Sequence, residues 1–221
     1  MSATPLRTAA FFDLDQTLIR CSSGTRWMAF LRERGEVGIG LLCKTVLWSV
    51  KYKLAILDME TVGRRLAADM VGDSEAEMRH KISLFMKQEL LPEVSPQGLQ
   101  ALAWHSAQSH TLVMLTSSTQ YVAEPMAQEL GIAHVLCSRL HVQEGRFLGT
   151  CEIPLCYGTG KVVYAERFAE QHGIDLGASY FYTDSYSDLP MLLRIGQPRI
   201  INPDRRLRVH AKRQGWPIAR W

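Results

Sequence analysis

No two of the five cysteines stand in a C-x-x-C spacing, and Cys21, Cys43, Cys137, Cys151 and Cys156 are scattered along the chain. That excludes a cysteine zinc site and a disulfide framework, and leaves reduced thiols in a cytoplasmic protein as the plain reading. An excess of charge of one sign is also missing. Against 25 basic residues stand 22 acidic ones, a net charge of +3, so nucleic-acid binding is not expected. The local basic cluster Arg205-Arg206-Leu207-Arg208 with Lys212-Arg213 reads as a solvated helix face. Met1-Ser2-Ala3-Thr4-Pro5 shows no basic stretch followed by an apolar core, so no secretory leader is expected. Uninterrupted apolar runs of membrane-spanning length are absent too. The stretch 37–57, Val37 through Leu57, comes nearest, and Lys44, Lys51 and Lys53 break it. A buried helix fits that stretch; so does an interfacial helix with lysines at its edge, making peripheral membrane contact.

With 221 residues, 47% hydrophobic and 21% charged, the chain can bury one sizeable core, or a core and a small second module. Residues 25–91 read as helical throughout. Trp27, Phe30 and Leu31 recur at helical spacing, as do Leu54, Leu57, Val62, Leu66 and Met70. Another helix carries Met78, Ile82, Phe85 and Met86, with Asp73 or Ser74 as its cap. From Pro92 onward, short apolar runs alternate with amphipathic helices, the first opened by Ser95-Pro96. Strands are expected at 111–115, 134–137, 179–183 and 199–201, a hairpin at Glu144-Gly145, and helices at about 121–130 and from Gly160-Lys161 to Gly173. This β-α-β-α rhythm predicts an α/β fold, a Rossmann-like parallel sheet with helices on both faces. The helical block then reads as an insertion that roofs the site. The core is residues 1–22 and 92–221, and the inserted helical cap is 23–91.

The most informative segment is Ala9-Ala10-Phe11-Phe12-Asp13-Leu14-Asp15-Gln16-Thr17. A buried strand over its apolar half puts Asp13 at the carboxyl end, where open α/β sheets place ligand chemistry. A carboxylate there can attack phosphorus, a second beside it can move protons, and both need a cation nearby. A strand-ending acidic turn fits this segment as well. Three further motifs fall at expected strand ends or helix starts. Thr116-Ser117-Ser118 offers hydroxyls and N–H groups for a phosphoryl oxygen, or plain N-caps. Lys161, in Gly158-Thr159-Gly160-Lys161, can put a point charge on a phosphoryl group or on the attacking carboxylate, or be a solvated lysine. Thr183-Asp184-Ser185-Tyr186-Ser187-Asp188 supplies Asp184 as a metal ligand, with Asp188 supporting it from behind or capping a helix. Oxygen donors without His or Cys nearby favour Mg²⁺ over zinc.

Taken in order, these motifs resemble the haloacid dehalogenase superfamily of phosphohydrolases, over essentially the whole chain. The insertion resembles that superfamily's type I cap, as in the phosphoserine-phosphatase-like subfamily IB. Asn202-Pro203-Asp204-Arg205-Arg206-Leu207-Arg208, Gly215-Trp216-Pro217 and Glu144-Gly145-Arg146-Phe147-Leu148-Gly149 are similar to a bacterial branch of it. The resemblance implies a Mg²⁺-dependent hydrolase of a small phosphomonoester. Asp13 would attack phosphorus and form an aspartyl-phosphate, and Asp15 would protonate the leaving alcohol and then deprotonate water. Asp13, the Asp15 backbone carbonyl and Asp184 would bind Mg²⁺, with Thr116, Ser117 and Lys161 holding the transferring oxygens. Dehalogenases of the superfamily lack the second aspartate, so Asp15 points to phosphoryl chemistry. Phosphoserine phosphatases carry a glutamate nine residues after the nucleophile, for the substrate ammonium. Ser22 stands there instead, flanked by Arg20 and Arg26, so phosphoserine itself is disfavoured and Arg20 and Ser22 become the candidates for substrate contact. Ser187 replaces a usual asparagine, and Gln16 stands where many relatives have glycine. Two other readings are a lipid-phosphate phosphatase, acting on a phosphatidylglycerophosphate-like headgroup, and a catalytically weak binding or regulatory protein on the same fold.

Overall fold

The computed structural model describes residues 6–36 and 59–221; the stretch 37–57, with Leu54 and Leu57, lies outside them. β1 (Ala9–Phe12) is the strand the apolar run predicts, and every residue in it is fully buried. Its pleat sends Ala10 and Phe12 into one core and Ala9 and Phe11 into another on the opposite face. α1 (Ser23–Glu33), α2 (Met59–Ala68) and α3 (Glu75–Phe85) follow. α3 runs on into a π turn, Met86–Leu90, and a 3-10 turn, Leu91–Glu93. Then come α4 (Pro96–Ala107), β2 (Thr111–Thr119), α5 (Gln120–Glu129), β3 (His134–Ser138) and the hairpin β4 (Leu140–Gln143) with β5 (Arg146–Cys151). α6 (Thr159–His172), β6 (Tyr180–Thr183), α7 (Leu189–Arg194), β7 (Gln197–Ile201), α8 (Arg205–Gln214) and β8 (Ile218–Ala219) complete the chain.

Six strands pair in parallel in the order β3-β2-β1-β6-β7-β8. The chain leaves β1 for β2 on one side and later returns to β6 on the other, so the carboxyl end of β1 is the switch point where a crevice opens. β2 runs past the expected Leu115 to Thr119, with an irregular register that lifts the hydroxyl segment out of regular pairing. The basic cluster lies on α8. Leu207 and Ala211 are buried there while Arg205, Arg206, Arg208, Lys212 and Arg213 face water, as expected of a solvated face.

The chain segments that enter and leave the helical block lie side by side. Ser95 N donates to Leu18 O and Arg20 N to Glu93 O, both at 2.9 Å, and Ile19 and Val94 form an antiparallel bridge. Across the block, the β4–β5 hairpin holds the α2–α3 connection: Gly72 N donates to Phe147 O, Phe147 N to Asp73 O and Glu75 N to Gly145 O. The four described cysteines are free and buried. Among the described residues no helix is long and apolar enough to cross a membrane.

One buried base works against the fold in acid. His105, on α4, is fully buried, with Nε2 2.9 Å from the Tyr182 hydroxyl and Nδ1 2.7 Å from His110 Nδ1. Burial, aided by His110 and Arg199, pushes its pKa from 6.5 down to about 4. Between those values the unfolded chain takes up a proton that folded His105 refuses. Its stabilising contribution is therefore whole above pH 6.5 and drains away as pH falls toward 4. From pH 7 to pH 5 the stability measured by urea unfolding should change less favourably in the wild type than in His105→Gln; the same pH dependence in both proteins would acquit this residue.

Candidate active site

β1 carries its ladder one residue past its end. Asp13 N donates to Tyr182 O at 2.9 Å, which fixes Asp13 at the switch-point end of the sheet. Only 7% of Asp13 is exposed, and its Oδ1 accepts the Leu14 N–H at 2.8 Å. Burial pushes its pKa up to about 7; Lys161 opposes this, while Asp188 and Asp15 add to it.

The lysine reaches Asp13 because glycines let α6 begin where it does. Gly158 has φ 54° and ψ −120°, a backbone region closed to side chains. A Cβ on Gly160 would lie 1.9 Å from Leu155 O, so only glycine lets the helix start against that carbonyl. One residue later Lys161 is buried, with Nζ donating to Asp188 Oδ2 at 2.7 Å and standing 3.3 Å from Asp13 Oδ1. Burial works against the ammonium, but Asp13 and Asp188 outweigh it and hold the lysine pKa above its ordinary value. Asp188 also accepts the Thr183 hydroxyl at 2.6 Å and makes no side-chain cap bond to α7. Of the two roles expected for Asp188, capping is therefore not the one observed. It anchors the lysine.

Asp15 is held separately from Asp13. Ser23 N donates to its Oδ1 and Ser23 Oγ to its Oδ2, each at 3.0 Å, and Ser23 Oγ lies 3.2 Å from Ser118 Oγ. Burial raises the Asp15 pKa and these two bonds pull it back. Thr116, buried within β2, accepts Ser118 N at 3.2 Å, and through the Ser118–Ser23 contact the hydroxyl segment meets the first turn of α1 beside Asp15. Ser117 lies half-buried in that segment.

Asp184 follows β6. Burial first, then Asp13, Asp188 and Asp15, drives its pKa well above the usual carboxylate range, with Lys161 opposing. Among the described residues these carboxylates share the one ammonium of Lys161, so positive charge around them is scarce there. No three His, Cys, Asp or Glu side chains among the described residues are grouped so as to hold a metal ion by themselves. The expected donor set asks for only two carboxylates and one carbonyl, all oxygen. That set suits a hard cation such as Mg²⁺, which keeps several of its waters.

Arg20 and Ser22 are engaged elsewhere. Arg20 Nη2 reaches Pro92 O at 3.4 Å and its Nε lies 3.8 Å from Glu93 Oε2, along the connection into the helical block. Ser22 is the N-cap of α1, accepting Thr25 N at 3.5 Å. Ser23 and Thr183 touch the acids and Ser118 reaches Ser23; Thr183 and Ser118 lie inside the motifs, whereas Ser23 was not among the candidates. A second serine just past the cap position was the available signal for Ser23.

A sequence profile described as haloacid dehalogenase-like hydrolase matches residues 10–193. A probable phosphatase of Mycobacterium tuberculosis is 30% identical over 220 residues, spanning 98% of this chain and 76% of its own. A histidinol-phosphatase of Neisseria meningitidis is 27% identical over 221 residues, spanning 96% of this chain and 98% of its own. The solved structure of a Bordetella pertussis protein of unknown function superposes with a TM-score of 0.85 at 27% identity, over 96% of this chain and 98% of that one. The profile covers every acidic motif described above, and on that ground the chain belongs to the haloacid dehalogenase-like hydrolases.

Proposed function

We propose that this chain is a phosphomonoester hydrolase in which Asp13 is the nucleophile and Asp15 carries protons. The observation behind this reading is the separate holding of the two acids. Asp13 lies at the switch-point end of the central strand beside a buried ammonium, and Asp15 is clasped through both oxygens by Ser23. Relatives named as phosphatases support the same chemistry.

In the first half-reaction an Asp13 oxygen bonds to phosphorus as the bond to the alcohol oxygen breaks, and Asp15 gives that oxygen a proton. In the second, water attacks the aspartyl-phosphate, Asp15 takes the proton back, and the bond between phosphorus and Asp13 breaks. Lys161 holds Asp13 and a transferring oxygen, with Thr116 and Ser117 on the remaining oxygens. Mg²⁺, held by Asp13, Asp184 and the Asp15 carbonyl, would offset repulsion between carboxylate and phosphate. Residues 23–91 act as the cap that shields the site, hinged where 18–20 and 93–95 run side by side. The substrate is a small phosphorylated metabolite, with Ser22 offering no charge to an ammonium. Four buried free thiols suit a reducing, cytoplasmic setting.

Hydrolysis of p-nitrophenyl phosphate should vanish on chelation and return with added Mg²⁺; inactivity in every divalent metal would overturn the reading. Asp15→Asn should lower kcat/KM for an alkyl phosphate about 10²–10⁴-fold, and much less for p-nitrophenyl phosphate, whose leaving group departs unprotonated. Equal losses on the two esters would remove Asp15 from the proton-transfer role.

A further inference from the structure

The turn Asn202-Pro203-Asp204, between β7 and α8, touches both loops that carry the acids. Asn202 Nδ2 donates to Gln16 O at 2.8 Å, across 186 residues of sequence. Gln16 sits in the left-handed region at φ 56°, its own N–H donating to Cys21 O at 3.1 Å. A non-glycine residue at that φ is strained and persists only where its surroundings fix it. Asn202 is fixed in turn: its N–H donates to Ala219 O, and its Oδ1 accepts Trp221 N at 3.0 Å. Two residues on, Asp204 N donates to Asp184 O at 2.9 Å, and Asp204 Oδ2 accepts Tyr186 N at 2.7 Å. Its other oxygen caps α8 by accepting Leu207 N at 2.8 Å.

We infer that Asn202 and Asp204 are positioning residues for this hydrolase: Asn202 fixes the turn that carries Asp15, and Asp204 fixes the loop that carries Asp184. The inference rests on the phosphatase reading above. One short turn sets the spacing between the proton carrier and the Asp184 loop, although it touches no reacting atom.

Two variants separate this role from folding. Asn202→Gly keeps the backbone, because glycine accepts the φ of 44° that Asn202 adopts, and removes only the side-chain bonds. Asp204→Ser keeps a helix cap but has one oxygen where the aspartate uses two. N202G should lower kcat/KM for an alkyl phosphate about tenfold or more and for p-nitrophenyl phosphate by clearly less, since a displaced Asp15 matters most where the leaving group needs a proton. D204S should lower kcat/KM equally on both esters and weaken the binding of Mg²⁺ alone, measured by calorimetry, about 10-fold or more. Loss of native protein would scale both esters together and leave Mg²⁺ affinity per folded molecule unchanged. Wild-type kinetics in N202G, or wild-type Mg²⁺ affinity in D204S, overturns the inference while leaving the phosphatase reading intact. If N202G does not fold, D204S alone decides. A wild-type protein that hydrolyses neither ester overturns the phosphatase reading itself.

Discussion

Asp13→Asn is expected to lower kcat on p-nitrophenyl phosphate by about 10⁴-fold or more and to leave the protein folded. The amide has the same shape, keeps an oxygen for the Leu14 N–H, and leaves Lys161 its shorter contact with Asp188 at 2.7 Å. What it lacks is an oxygen able to bond to phosphorus. The sign of the stability change follows from the pKa. An acid pushed up to about 7 from 3.8, chiefly by burial, destabilises the folded state above 3.8, increasingly so toward pH 7. The amide removes that penalty, so the metal-free variant should melt at or above the wild-type temperature. Acid quenching during turnover, followed by mass spectrometry, should find a phosphoenzyme in the wild type and none in the variant. Retained turnover in the variant would sink the nucleophile assignment. A large fall in Tm would show that Asp13 holds the fold rather than reacts.

The parts of this site that could be read from the sequence are those written locally. Four apolar residues followed by Asp13 describe a buried strand and its reactive end, and the buried β1 matches that pattern. The glycines before Lys161 mark the start of a helix but not the close approach behind it, where a Cβ at Gly160 would lie 1.9 Å from Leu155 O, nor that Lys161 is buried rather than solvated. Long-range partners carried no such signal. Nothing near Gln16 indicates that Asn202 will hold its carbonyl, and nothing near Asp204 indicates that, besides capping α8, it will bind the Asp184 loop. The π turn at Met86–Leu90 escaped because one extra residue per turn barely disturbs an apolar spacing. β8, two exposed residues on a sheet edge, offers no periodicity to detect. Ser22 caps α1 and Arg20 lies along the connection into the helical block, contacts that their place in the sequence does not announce.

Lys161→Met should show that the same cluster is both catalytic and structural. Removing the ammonium leaves Asp13 and Asp188 buried without a counter-charge, and breaking a buried pair in this way costs about 3–5 kcal/mol. For a chain of this size each kcal/mol moves Tm by about 2–4 °C, so a drop of roughly 6–20 °C is expected. Activity should fall about 10²–10³-fold or more, since a charge aimed at the transferring oxygens is lost as well. Adding Asp188→Asn separates the two effects. The amide needs no ammonium and still accepts the Thr183 hydroxyl, which lies 2.6 Å from Asp188 in the wild type. Much of the lost Tm should therefore return in the double variant, with a coupling energy of about 1–3 kcal/mol between the two sites. Turnover should not return, because no neutral residue replaces the charge at phosphorus. Recovery of both together would make Lys161 a structural ion only; recovery of neither would place the damage in packing, where methionine meets Phe181 beneath the former ammonium.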